Sequence, residues 1–221
     1  CHDIDFLLWL TRTRCHKLTS FGSLRWFHSA NAPKGSADRC IDCSVENDCP
    51  FSAVKLYRER REWIANFDVP EGKTIDDVIE YQLHVGIYGR CVYHCDNDVV
   101  DHQIVSMEME SEVTINFSMD VFTLKDNRET HICLTEGEID GDETTLRVKR
   151  FCGREETVYD FSDIAGTPFH AGADLALMED FIEAVRSSKK SLATAIDVSV
   201  ESHLICYEAE RSRREERIIV F

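Results

Sequence analysis

The sequence predicts an α+β fold: an open, largely antiparallel β-sheet with helices packed on one face, carrying a cysteine-containing insertion at about 28–73. Three observations predict it. Apolar residues recur at helical spacing at both ends of the chain. Between them, short alternating segments follow one another at turn-length intervals, which leaves no room for parallel crossovers. A polar, cysteine-bearing stretch between the first strand and the next helix follows neither period.

Taken in order, His2-Asp3-Ile4-Asp5-Phe6-Leu7-Leu8-Trp9-Leu10 opens a helix over 1–13 that is apolar on nearly every side, which predicts burial. Residues 16–24 alternate and read as a strand. Phe51–Ala65, with Val54, Tyr57, Trp63 and Ile64, predicts a helix with a basic outer face. Pro70-Glu71-Gly72 is a turn, and Thr74 followed by Asp77 starts a helix over Thr74–Leu83 in capping-box style. Gln103–Met109 and Val113–Met119 form a hairpin across Ser111-Glu112. Strands are expected at His131–Thr135, Glu138–Gly141, Thr145–Phe151 and Thr157–Phe161. Leu175–Arg186 aligns Leu175, Met178, Ile182 and Val185 on one stripe. Ala193–Arg213 does the same with Ala193, Ile196, Val200, Leu204 and Tyr207, and Ile218–Phe221 is a last strand. Apolar residues occur at both parities, Ile104, Met107 and Met109 mixing with Val105, so part of the outer sheet face is expected to lie against a second copy of the chain.

Composition excludes several classes. Lys+Arg at 25 against Asp+Glu at 41 gives a net charge of −16, the wrong sign for a nucleic-acid partner. No apolar run approaches the roughly 18 residues of a membrane span, and the opening helix lacks the basic flank of a signal peptide. Ten cysteines without a secretory signal point to a reducing, cytoplasmic setting. Cys133 and Cys206 read as small core residues. Cys40, Cys43 and Cys49 stand together in a polar loop and suit a tetrahedral zinc, given a fourth ligand from Cys91, Cys95, His94 or His28. The alternative is three reduced thiols in a loop.

Candidate chemistry is concentrated in three places. His2 and Asp5, three apart, project from one helical face, and an imidazole beside a carboxylate moves protons near neutral pH; helix capping is the plainer reading of Asp5. Arg90, Tyr93, Asp96, Asn97, Asp101 and His102 form a dense polar run before a strand, a composition that suits a polyol pocket or a hydrogen-bonded sheet-edge loop. His170 and Asp174 flank a small-residue loop at a helix start, Asp174 as a cap and His170 within reach of a pocket. The Arg/Glu run over 208–217 reads as a solvated helix face.

H-x-x-D-x-L-x-W-L, here His2, Asp5, Leu7, Trp9 and Leu10, resembles the opening of the second domain of the glucose–fructose oxidoreductase and inositol dehydrogenase (Gfo/Idh/MocA) family. The likeness continues through Tyr88–Tyr93, Asp96–Gln103, His170–Asp174 and Glu208–Arg213. The resemblance implies the substrate-binding and oligomerisation domain of an NAD- or NADP-dependent oxidoreductase of a sugar or polyol, with His2 as the catalytic proton carrier and Asp5 and the 90–102 run toward substrate. It also implies a separate N-terminal Rossmann domain. None is encoded here: the ten glycines never form G-x-G-x-x-G, and the family's E-K-P lysine segment is missing. The chain is therefore expected to be a fragment, inactive alone and without useful affinity for the dinucleotide. Two other functions fit the resemblance, a catalytically decayed binding or assembly module and a glycosidase that uses the nicotinamide transiently.

Overall fold

The computed structural model describes residues 1–124, 127–165, 172–187 and 196–221. The fold is α+β, as expected, but its eight described strands form two four-stranded antiparallel sheets instead of one. They belong to two compact units, one built from 11–121 and 207–221, the other from 1–10 and 122–206.

In the first unit β1 (Cys15–Ser23), β2 (His102–Met109), β3 (Thr114–Asp120) and β8 (Ile219–Val220) lie in the order β3-β2-β1-β8. Leu18 pairs with Met107 and Ser20 with Val105. The β2–β3 connection forms where expected: Met109 N–H donates to Val113 O and Glu112 N–H to Met109 O, with Glu112 left-handed. The mixed parity expected of β2 is corrected. Val105, Met107 and Met109 are all buried, and Ile104 alone points out, opposite exposed Phe21. Elsewhere that outer face carries a Lys17–Glu108 ion pair, a Ser106–Asn116 hydrogen bond and exposed Val220 opposite Lys17.

The insertion has its own core. Cys40, Ala53, Val54, Tyr57, Ile79 and Leu83 are buried together, with Ile41, Phe67 and Ile75 packed against them. Helix α2 (Ile75–His84) carries the predicted capping box between Thr74 and Asp77. Its last turn is closed from outside: Arg39 donates to the carbonyls of Leu83, Gln82 and Gly86 at 3.0, 2.8 and 2.6 Å. Gly89 is required beside this contact, since a Cβ there would fall 2.4 Å from Gln82 O and 2.5 Å from Leu83 O. The helix expected over Phe51–Ala65 is broken. A π-helical turn over Val54–Glu59 ends where Arg61 and Trp63 become left-handed, and a 3₁₀ turn, Ile64–Asn66, follows. The physical reason is that residues 58–62 (RERRE) offer no apolar stripe to continue the packing, while Arg58 and Arg61 turn to Glu80 and Asp76 on α2.

In the second unit β4 (Thr130–Cys133), β5 (Gly137–Gly141), β6 (Thr145–Arg150) and β7 (Glu156–Asp160) form a meander in sequence order. Helix α1 (His2–Thr11) buries Ile4 and Leu8, but Phe6, Trp9 and Leu10 are exposed. Burial on all sides is thus corrected to burial of one i,i+4 stripe. After a one-turn helix α3 (Ser162–Ala165), α4 (Ala173–Ser187) exposes all four residues of its predicted stripe. Helix α5 (Ile196–Glu215) starts in this unit and ends in the first. There Ser212 accepts from Ser20 N–H at 3.0 Å and donates to Arg217 O at 2.6 Å. No described helix is long and apolar enough to cross a membrane.

Candidate functional site

The polar run before β2 is drawn into the first unit. Asp101 is 2% exposed, and its carboxylate accepts the backbone N–H groups of Arg25, Trp26 and Phe27 at 3.1, 2.6 and 3.3 Å. His102 Nδ1 lies 2.9 Å from the same carboxylate. Burial pushes this acid up, but the backbone donors of Trp26 and Arg25, then His102 and Phe27, outweigh it and hold the pKa at about 2. Asp101 thereby ties the chain leaving β1 to the start of β2.

Tyr93 is also buried. Its hydroxyl accepts from Trp26 Nε1 at 3.2 Å, and its ring meets Phe51 edge-on and Phe27 at a tilt. Burial raises its pKa, the Trp26 bond lowers it, and the thiols of Cys49 and Cys91 add to the rise. Arg90 and Asp96 are exposed and bind each other at 2.6 Å, which holds Asp96 below the usual carboxylate range. Asn97 accepts from Val99 N–H in a local turn.

Beneath Tyr93 a cavity is lined by Cys40, Cys43, Cys49 and Cys91, with Glu46 and Ser52 at its wall. Burial raises the Cys40 and Cys91 thiols, and the neighbouring thiols raise them further. Among the described residues no group of three or more His, Cys, Asp or Glu is placed so that it could hold a metal ion. The other three fourth-ligand candidates are not among the residues lining this cavity, and each has a partner. Cys95 donates to Val92 O, His94 Nε2 meets Ser36 Oγ, and His28 Nε2 meets Arg25 O.

In the second unit His2 is exposed at the first residue of α1. Asp5 is half-buried in the first turn, its N–H donating to Cys1 O; the acid that finds a cationic partner is Asp3, 2.5 Å from Arg128 Nε. His2 and Asp5 therefore lie in one unit and the 90–102 run in the other. Asp174 falls in the first turn of α4, and His170 lies outside the described residues. Cys133, expected in a core, is exposed: strand alternation puts it on the polar face of β4, 3.3 Å from His131 Nε2, whose Nδ1 is 2.6 Å from Asp140. Trp26 and Arg39 escaped the sequence reading, because neither stands in a motif and their partners are remote in the chain.

The α+β fold is shared with solved structures of oxidoreductases. Solved structures that share it include an oxidoreductase from Agrobacterium radiobacter in complex with NAD+, L-tartaric acid and magnesium (TM-score 0.55, 12% identity, 99% of this chain and 46% of that one). An aldose–aldose oxidoreductase from Caulobacter crescentus complexed with glycerol gives 0.53 at 11% identity over 100% and 45%. The transcriptional regulator Gal80p from Kluyveromyces lactis gives 0.56 at 14% over 99% and 43%. At such identities the likeness is one of fold, and the chain spans less than half the length of each. The sequence matches no family model and no curated protein.

Proposed function

We propose that this chain is the substrate-binding and assembly half of an NAD- or NADP-dependent oxidoreductase acting on a sugar or polyol. The observation that carries the reading is His2, a solvent-accessible imidazole at the mouth of α1, in a fold shared with an oxidoreductase complexed with glycerol.

The residues present do not fit the dinucleotide itself. The left-handed glycines described, Gly35, Gly72, Gly153 and Gly172, do not form the glycine-rich turn from strand to helix that cradles a pyrophosphate. That cradle is assigned to a partner Rossmann domain. What this chain supplies is the proton side: removing hydride from an alcohol carbon leaves a hydroxyl proton, and the His2 imidazole takes it. Asp5, and His170 in the resemblance, are assigned to sugar hydroxyls or to orienting His2. Arg90, Asp96, Asn97 and His102 are the exposed or half-exposed members of the polar run left for substrate. Tyr93 and Asp101 shape that run from beneath. Zinc, where the cysteine loop takes it, has no part in this chemistry.

The full-length gene product is expected to reduce NAD+ or NADP+ with at least one member of a sugar and polyol panel. His2→Ala should lower turnover about 10²–10⁴-fold while leaving cofactor affinity unchanged. Unaltered turnover would remove His2 from the reaction. A second reading, a binding or assembly module without catalysis, draws on the self-paired Arg90–Asp96 and the inward Tyr93 and Asp101. It gains if the full-length product shows no nicotinamide turnover on the whole panel.

A further inference from the structure

We infer that Cys40, Cys43, Cys49 and Cys91 form a structural zinc site that fastens the insertion to the segment before β2. Local structure prepares the first three thiols. Cys40 opens a 3₁₀ turn, Cys40–Asp42, and Cys43 closes it, its N–H donating to Cys40 O at 3.2 Å. Residues three apart eclipse on such a turn, which brings the C-x2-C pair to one side. Cys49 closes the next 3₁₀ turn, Glu46–Asp48, in the same way.

The fourth thiol comes from 42 residues beyond Cys49 (91 − 49) and is held in place by backbone. Arg39 and Arg90 form an antiparallel bridge, and Cys91 N–H donates to Asp38 O at 2.8 Å. Each residue of the bridge is followed directly by one of the cysteines. Arg39 is itself locked on the α2 carbonyls and Gly89 packs beneath them, so both sides of the bridge are anchored. The four cysteines line one cavity, and its carboxylate, Glu46, is already engaged by Ser52.

Four thiols on a single cavity select a soft, tetrahedral ion, and zinc needs no electron transfer to bind them. Each thiol that ligates releases its proton to the buffer. As placed, no three of these side chains could hold an ion, so binding requires the thiols to draw together around it. Four protein sulfurs leave no open coordination position, which makes the site structural and not catalytic.

The test is metal analysis of the protein expressed without added metal and purified under reductant. About one zinc per chain is expected for four thiolates closing one tetrahedral site. Cys91→Ser should lose it and Cys95→Ser should keep it. For variants that do not fold, alkylation of the wild-type protein before and after zinc removal by a chelator serves instead: Cys40, Cys43, Cys49 and Cys91 should be protected only while metal is bound, and exposed Cys133 and Cys152 labelled throughout. Zinc near zero with no uptake of added ion, iron in its place, or full zinc in Cys91→Ser would each overturn the assignment.

Discussion

Two antiparallel sheets of four strands each are built from this chain, and among the described residues they differ in how much apolar side chain their units bury. The unit of β1, β2, β3 and β8 buries Leu18, Ile79, Leu83, Val105, Met107, Met109 and Ile219. Among its described residues the unit of β4–β7 buries Ile4, Leu8, Ala184 and Ile205, while Leu175, Met178, Phe181, Ile182 and Val185 of α4 and Val158 and Tyr159 of β7 are exposed. Equal strand count and equal alternation therefore do not make equal cores. The first unit has an insertion, a capped helix and a buried carboxylate to complete it. The described part of the second leaves a contiguous apolar helix face on α4 exposed.

The largest effect that tests this contrast compares two apolar truncations. Leu83→Ala, at a fully buried position, should cost about 2–5 kcal/mol of unfolding free energy in denaturant melts. Met178→Ala on exposed α4 should stay within about 0.5 kcal/mol in the isolated chain. Equal losses would erase the distinction between the units. A Met178→Glu variant that converts an oligomer to monomer in light scattering would sharpen it by showing what covers α4.

Next come two carboxylates with a histidine Nδ1 beside each, Asp101 at 2.9 Å and Asp140 at 2.6 Å. Asp101 is buried, and its pKa falls from 3.8 to about 2. A depressed acid stabilises the folded state above its unfolded pKa, and that contribution is lost as pH falls from about 4 toward 2. It amounts to about 2 kcal/mol, so Asp101→Asn should lower stability at pH 7 by that order and flatten the acid limb of a pH–stability curve. Asp140 is also depressed, by Lys149 first and then His131, but its side chain is 38% exposed, and Asp140→Asn should leave the unfolding midpoint nearly where it was. An equal response from both would show that burial does not separate these sites.

The smallest effect is local. Thr74→Ala removes the cap of α2, whose side chain accepts from Asp77 N–H at 3.2 Å, and should cost about 1 kcal/mol. A neutral result by the same melts would mean that Arg39 at the other end of α2 suffices to hold it.

What could be read in advance was short-range. The Thr74 capping box, the 109–113 hairpin, the Pro70–Lys73 turn and the strands of both sheets rest on contacts within a few residues, and periodicity reports those directly. The candidate site was legible only as a set of residue types. Arg90, Tyr93, Asp96, Asn97, Asp101 and His102 are contiguous and polar, yet two of the six turn inward, because Trp26 and the 25–27 backbone lie more than sixty residues earlier. A separation of 42 residues from Cys49 likewise hid Cys91 among four possible partners for the cysteine loop.

By itself, then, the sequence determined the α+β class, the order of the strands and of the longer helices outside Phe51–Ala65, the antiparallel pairing and the presence of a thiol-rich insertion, since each follows from local spacing, capping and connection length. Tertiary structure alone decided that the strands divide into two sheets, that Asp101 is a buried tie and Cys133 an exposed thiol, and that Cys91 meets the insertion. Those outcomes depend on which distant backbone donors and apolar faces arrive beside a residue, and no periodicity in one strand or helix encodes its partner.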